Sequence, residues 1–255
     1  MTELIHFEHP LNERIRTFLR LEHHFLQVDY FRPLADSWSN RAAIDGLLNI
    51  MSIFGRSDLK TEILKELERH ISNLERVRQQ PGVNMQALGL VLDDLEQAIH
   101  QVYRMNGQVA GNLRKNEFLT SILQRSSIPG GGCNFDLPQY HRWLNQPHEF
   151  RQDQMADWMH ELHPVREAVI LLLSLVRGST LPTQEVGIQG FFQKTLDSSS
   201  LAQMIRVGLP KQSNLFTEIS GNKHRFTIRF LETMDTGKPV QTQQDIPFQL
   251  TLCIF

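Results

Sequence analysis

The chain has few of the features that mark secreted or membrane proteins. It contains only two cysteines in 255 residues, which excludes a disulfide framework. Its longest apolar run, residues 168–176, is interrupted by Ser174 and is far too short to span a bilayer. The first 16 residues, MTELIHFEHPLNERIR, carry charges throughout and do not resemble a secretory signal. These absences predict a cytoplasmic protein with no membrane insertion.

Neither sign of charge is in large excess. The chain has 26 lysines and arginines against 28 acidic residues, giving a net charge of −2. A protein with this balance is not a general polyanion binder, so any site for an acidic partner must be a local cluster of cations. Hydrophobic residues make up 40% of the chain, which is enough for a core.

Apolar residues recur every three or four positions through residues 1–182, which predicts a helical bundle. We expect a fifth helix over residues 109–125 and a break between two later helices at Pro164. A seam at steps of three and four is formed by Met85, Leu88, Leu92, Leu95, Ile99 and Val102. Such a seam packs helices within one bundle or between two copies, and the sequence leaves both open. We expect this helical domain to mediate dimerisation.

From residue 183 the composition changes, and the apolar segments become short and rich in Thr, Gln, Gly and Phe. We expect strands near residues 186–196, 201–209, 223–232 and 247–254, forming one antiparallel sheet with a buried face. The predicted fold class is therefore α+β. It comprises an all-helical bundle over residues 1–182 followed by a small antiparallel β domain over residues 183–255.

The third of these strands alternates cations and hydrophobes with a period of two. Its two predicted faces are Lys223, Arg225, Thr227 and Arg229 on one side, and His224, Phe226, Ile228 and Phe230 on the other. No acidic residue interrupts the run. Arginine binds carboxylates in a forked geometry, so the exposed face is suited to an acidic partner, with a merely solubilising face as the alternative. Lys194 and Arg206 on neighbouring strands are expected to extend this face.

Three candidate chemistries are not supported by their sequence context. The triglycine at residues 130–132 lacks the Lys-Ser/Thr that follows in phosphate-binding loops. The histidine spacings do not fit a metal site. Cys133 and His141 have no evident third group to orient them as a nucleophile and base. We therefore expect no catalytic residue, no metal, no cofactor and no enzymatic activity.

Three longer segments carry a family resemblance. They are FEHPLNERIRTFLR at residues 7–20, SIPGGGCNFDLP at 127–138 and ISGNKHRFTIRF at 219–230. Together they resemble the ZapD family, Z-ring-associated cell-division proteins that bind and cross-link filaments of FtsZ, the bacterial tubulin homologue. The resemblance implies a helical domain followed by a β domain, a homodimer and no enzymatic activity. It also implies a ligand, the short acidic and hydrophobic C-terminal tail of FtsZ, held in a basic pocket.

The resemblance and the alternating strand together give the candidate partner-binding residues. The family motifs assign this role to Arg225, Arg229, Arg56, Arg20, His141 and Arg114. The alternation adds Lys223, and the expected extension of this face by a neighbouring strand adds Arg206. Glu117 departs from the pattern, because the family can show a basic residue there.

The expected function is a dimeric adaptor that bundles FtsZ filaments at the mid-cell division ring. The alternative is a nucleic-acid-binding module that uses the same basic sheet. The negative net charge and an expected lack of exposed aromatic residues on that face oppose nucleic acid as a partner.

Overall fold

The computed structural model describes residues 3–55, 58–105, 107–197, 202–234 and 237–254. Its helices lie mainly in the N-terminal part and its antiparallel strands mainly in the C-terminal part, which confirms the α+β prediction. The chain forms two compact units, Thr17–Leu172 and a second that joins Met1–Arg16 to Leu173–Phe255. The division into functional domains at residue 182 stays a prediction.

The helical elements are α1 (Glu13–Phe31), α2 (Ser37–Phe54), α3 (Leu59–Val77), α4 (Met85–Arg104), α5 (Gly111–Lys115), α6 (Glu117–Ser126), α7 (Pro138–Leu144) and α8 (His148–Gly178). The predicted fifth helix is divided because the side chain of Asn116 caps α6, accepting a hydrogen bond from the Leu119 N–H. The predicted break at Pro164 is wrong, since α8 continues through it. Leu162 and Val165 on either side are fully buried, and this packing outweighs the lost backbone hydrogen bond.

The seam of α4 packs inside its own chain. Leu88, Leu92, Leu95 and Val102 are buried, and α4 contacts α3 along its length. Met85, at the start of the seam, is half exposed. Of the two arrangements that the sequence leaves open, the structure therefore has the seam within the bundle.

The strands are β1 (Leu4–Pro10), β2 (Thr183–Gly187), β3 (Phe191–Thr195), β4 (Ala202–Pro210), β5 (Leu215–Gly221), β6 (Arg225–Glu232), β7 (Val240–Gln241) and β8 (Ile246–Ile254). They form two antiparallel sheets. Sheet 1 has the order β1-β4-β8-β2, and sheet 2 has the order β3-β6-β5, with β7 also paired to β6. The side chain of Asn12 caps α1 directly after β1, accepting from the Ile15 N–H at 2.9 Å.

The core of this unit lies between the two sheets. Ile205 and Leu250 point inward from sheet 1, and Phe226, Ile228 and Phe230 point inward from sheet 2. Burial alternates along β6, whereas β4 and β8 also bury side chains of their other face, including Met204 and Cys253. The prediction of a single sheet is therefore wrong, because the strands are divided between two sheets.

A turn at Gln189 and Gly190 is the main reason for the second layer. Both residues have positive φ, 48° and 71° respectively. This conformation reverses the chain, so the predicted strand over residues 186–196 becomes β2 in sheet 1 and β3 in sheet 2. A side chain at position 190 would also meet the Thr242 carbonyl oxygen at 2.3 Å, so the position requires glycine.

Candidate functional site

The outer face of sheet 2 carries the two arginines that the sequence singled out. Arg225 and Arg229 are exposed on β6, whereas Phe226, Ile228 and Phe230 have relative exposures of at most 1%. The predicted alternation of this strand is confirmed from Arg225 onward. We call this surface the cationic face. It comprises Arg225, Thr227 and Arg229 of β6 with their outward neighbours on β3 (Phe191, Gln193, Thr195) and β5 (Glu218, Ser220).

The strand begins later than predicted. The side chain of Asn222 accepts hydrogen bonds from the N–H groups of His224 and Arg225, at 2.9 and 3.2 Å. This local turn holds Lys223 and His224 between β5 and β6, where both are exposed. The prediction that His224 lies on the buried side is therefore wrong. Lys223 lies next to the cationic face but outside β6.

A neighbouring strand supplies an acid that the run itself lacks. Glu218 of β5 is the cross-strand partner of Arg229, and its Oε2 lies 3.3 Å from the arginine Nη1. The side chains are 58% and 51% exposed, respectively. An ion pair this exposed contributes about 0–1 kcal/mol, because water screens it. Arg229 can therefore exchange this partner for another carboxylate at little cost.

An aromatic residue also lies on the cationic face. Phe191 of β3 is the other cross-strand partner of Arg229 and is 41% exposed. The expectation that this face offers no aromatic residue is therefore wrong. The dipeptide Gln189-Gly190 was the signal that could have revealed it, since a turn there starts β3 at Phe191 and sends that ring outward.

Two cations expected on this face are elsewhere in the same unit. Lys194 is opposite Phe226 on the inner side of β3, and its Nζ lies 3.0 Å from Oε1 of Glu185 on β2. Arg206 belongs to sheet 1, where it faces Glu8 across the β1–β4 ladder at 3.1 Å. The prediction that both extend the cationic face is wrong, because the strands belong to different layers or point the other way.

The outer face of sheet 1 is a second cluster of charges. Arg177, in the last turn of α8, binds Glu8 through two hydrogen bonds of 2.8 Å, and Arg206 joins the same carboxylate. All three side chains are at most 28% exposed. Both arginines are thus held by an internal acid.

The remaining candidates belong to the helical unit. Arg20 on α1 and His141 on α7 are exposed. Arg114 on α5 is half-buried, donates to Oε1 of Gln108 at 3.4 Å and lines a cleft of about 710 Å³ together with Lys60. Arg56 lies outside the described residues. The roles of these four residues in partner binding stay predictions.

Neither a metal centre nor a membrane-spanning helix is found among the described residues. No group of three or more His, Cys, Asp or Glu side chains is placed to hold a metal ion within the described ranges. Among the helices that the structure describes, none combines the length and apolar character needed to cross a membrane.

Comparison with known proteins identifies relatives of this chain. Residues 19–229 match the ZapD family, described as a cell division protein. A cell division protein ZapD from Methylococcus capsulatus is 41% identical over 254 residues, covering all of both chains. Those from Aromatoleum aromaticum and Nitrosomonas europaea are each 37% identical over 250 residues, covering 98% of this chain and 97% and 95% of theirs. The segments behind the predicted resemblance thus lie in a full-length similarity, and the chain belongs to the ZapD family of cell division proteins.

Proposed function

We propose that this protein is a non-enzymatic adaptor of cell division that binds the acidic C-terminal tail of FtsZ and cross-links FtsZ filaments. The observation that carries the proposal is the cationic face, where Arg225 and Arg229 are exposed on one strand. Within the described part of the chain, Glu218 is the acid that pairs with Arg229, and this pair is exposed to solvent. A face of this kind exchanges its internal partner for the carboxylates of an incoming peptide.

The face offers two kinds of contact to such a tail. Arg225 and Arg229 are four residues apart, which is about 13 Å along a strand. They can fork two separate carboxylates of one extended peptide. Phe191 beside Arg229 supplies an apolar surface for the hydrophobic residues of the tail.

Bundling follows from having two such sites in one particle. In a homodimer, each protomer captures one tail, and the pair bridges two filaments even if each single site is weak. We propose that dimerisation is a property of the helical domain and that the protein acts in the cytoplasm at the mid-cell ring. A monomeric variant should still bind the tail peptide with similar affinity but lose bundling. Bundling by a demonstrably monomeric protein would point instead to two sites per chain.

The test is a binding measurement with a synthetic FtsZ tail peptide. We expect the wild-type protein to bind it and Arg229→Glu to lose at least about tenfold in affinity, because like charges then oppose each other. Sedimentation with FtsZ filaments should show loss of bundling by the same variant, with an unchanged circular dichroism spectrum. Lys211→Glu is the matched control, since Lys211 is an exposed cation of the same unit that pairs with Glu3 away from the cationic face. Unchanged bundling by folded Arg229→Glu would refute the assignment.

A nucleic-acid-binding module remains the second candidate, and one observation favours it. Phe191 gives the cationic face an exposed ring on which a base can stack. The net charge of −2 opposes this function. An oligonucleotide shift assay run beside the peptide measurement separates the two functions. Only the true ligand should bind the wild-type protein and lose affinity in Arg229→Glu.

A further inference from the structure

We propose that the acidic tail binds as an added β-strand along the free edge of β3, so that its backbone extends sheet 2 beside the two arginines. This inference rests on the proposed function and names the way in which the peptide is held. Strand addition supplies backbone hydrogen bonds for affinity, while side chains on alternate positions supply specificity.

The hydrogen-bond register of β3 identifies which backbone groups are available. Phe230 N–H donates to Gly190 O at 2.9 Å, and Leu196 N–H donates to His224 O at 2.7 Å. In an antiparallel pair these bonds recur at every second residue, so the even-numbered positions of β3 face β6. The N–H and C=O groups of Gln193 and Thr195 therefore point away from β6.

That side of β3 is open to a ligand. Sheet 2 has the order β3-β6-β5, and no other described strand pairs with the outer side of β3 at Gln193 or Thr195. Among the described residues, its backbone pairing with the preceding segment is the bridge between Ile188 and Phe191, and Lys194 meets Glu185 of β2 through its side chain on the inner side. Gln193 and Thr195 are both exposed. An edge with two consecutive outward-pointing residues offers up to four backbone hydrogen bonds to an incoming strand.

The distribution of charge favours the β3 edge over the β5 edge, and an acidic peptide as the added strand. The β3 sequence, FFQKT, has no acid, and Arg225 and Arg229 lie beside it on the outer face. The opposite edge, β5, presents Glu218 on that face and would repel a polyanion.

The spacing predicts a pattern in the peptide. Strands lie about 4.8 Å apart, so an added strand runs about 10 Å from β6, a gap that an arginine and a carboxylate side chain span together. Arg229 is level with Phe191 and Arg225 is level with Thr195. Acidic residues four positions apart in the peptide would therefore meet the two arginines, and the residue midway between them would lie beside Gln193.

The test uses a pair of substitutions at one edge position. Gln193→Pro removes the outward N–H but no bond to β6, and proline is tolerated on an edge strand in this orientation. We expect it to weaken binding of the FtsZ tail peptide about five- to tenfold, the value of one hydrogen bond. Gln193→Ala keeps the N–H and should bind within about twofold of wild type. Equal affinities for the two variants would contradict strand addition.

A second measurement leaves the protein unaltered. Tail peptides with a single N-methyl group at successive positions should bind the wild-type protein with losses that alternate along the sequence, because every second peptide N–H points to β3. Hydrogen exchange at Gln193 and Thr195 should slow in the complex. Affinity losses that do not alternate along the peptide, together with unchanged hydrogen exchange, would overturn strand addition. The proposed adaptor function would still stand if Arg229→Glu weakens peptide binding. Failure of the unmodified peptide to bind wild type would overturn the proposed function itself.

Discussion

The unit that contains both sheets, Met1–Arg16 with Leu173–Phe255, carries arginines on two sheet faces. The arginines of the two faces differ in how far their ion pairs are exposed to solvent. On the outer face of sheet 1, Arg177 and Arg206 share Glu8, and the three side chains are largely shielded from solvent. On the outer face of sheet 2, Arg229 meets Glu218, and both side chains are more than half exposed. Each face has a cross-strand arginine–glutamate pair, so residue identity alone does not distinguish them.

Solvent exposure decides what each pair does. A partly buried carboxylate with two arginines keeps them in place, since removing it would leave their charges desolvated without compensation. An exposed pair is screened and contributes little, so its arginine can change partners. The first cluster is therefore structural, and the second is available for binding.

Thiol reactivity should separate the two faces most strongly. Burial raises the pKa of the Cys253 thiol, on the outer side of β8, to about 11. A thiol introduced by Thr227→Cys, in a Cys133→Ser background, lies between Arg225 and Arg229, so its pKa should be no higher than the ordinary value of about 8.5. At pH 8 we expect iodoacetamide to alkylate the introduced thiol about 100-fold faster than Cys253. Similar rates, measured by peptide mass spectrometry, would mean that the outer face of sheet 1 is accessible after all.

Removal of the acid from the shielded cluster should cost stability. Glu8→Gln leaves Arg177 and Arg206 facing a neutral amide, and we expect the free energy of unfolding to fall by about 2–3 kcal/mol. Urea unfolding followed by circular dichroism measures this change. Glu3→Gln is the matched control, because the pair of Glu3 with Lys211 is exposed and should contribute under about 0.5 kcal/mol. A loss no larger than that of the control would show that the cluster is not structural.

Salt should affect the two faces unequally. Raising NaCl from about 0.05 to 0.5 M shortens the screening length severalfold, and we expect the affinity for the tail peptide to fall about tenfold. The shielded cluster around Glu8 is screened less, so the urea midpoint should change little over the same range. Titration calorimetry and urea unfolding at each salt concentration give both quantities. Peptide binding that is insensitive to salt would argue for apolar contacts as its main source.

The smallest expected effect comes from the exposed acid. Glu218→Gln should change the free energy of unfolding by less than about 0.5 kcal/mol. Because Arg229 no longer has an internal competitor, affinity for the tail peptide should rise about two- to threefold. Calorimetry on this variant and on wild type provides the comparison. A fall in affinity would instead indicate that Glu218 orients Arg229 for binding.

The sequence predicted the strand of the cationic face better than its surroundings. The alternation from Arg225 to Phe230 is local, so it could be read from consecutive residues. Glu218 and Phe191 reach the face only through the pairing register of β5 and β3, which consecutive residues do not reveal. The same limit misplaced Arg206, because its strand pairs into the other sheet.

Other differences come from tertiary packing that overrides local preference. Pro164 predicts a helix end, yet buried neighbours keep α8 continuous. Residues 4–10 show only a weak strand pattern and become β1 because β4 provides a partner far along the chain. The family resemblance was predictable because its motifs are long and contiguous, and the full-length similarity confirms it.

The participation of β1 in sheet 1 has a consequence for how the chain is made. β1 pairs along its whole length with β4, and Asn12 and Gln203, whose side chains hydrogen-bond, lie 191 positions apart. At about 5–20 residues per second, a ribosome needs about 10–40 s to translate that interval. The unit over residues 17–172 can therefore fold before β4 has been synthesised, while β1 is still unpaired. A chain whose translation ends before residue 202 would therefore have an unpaired first strand, an exposed edge that is prone to aggregation.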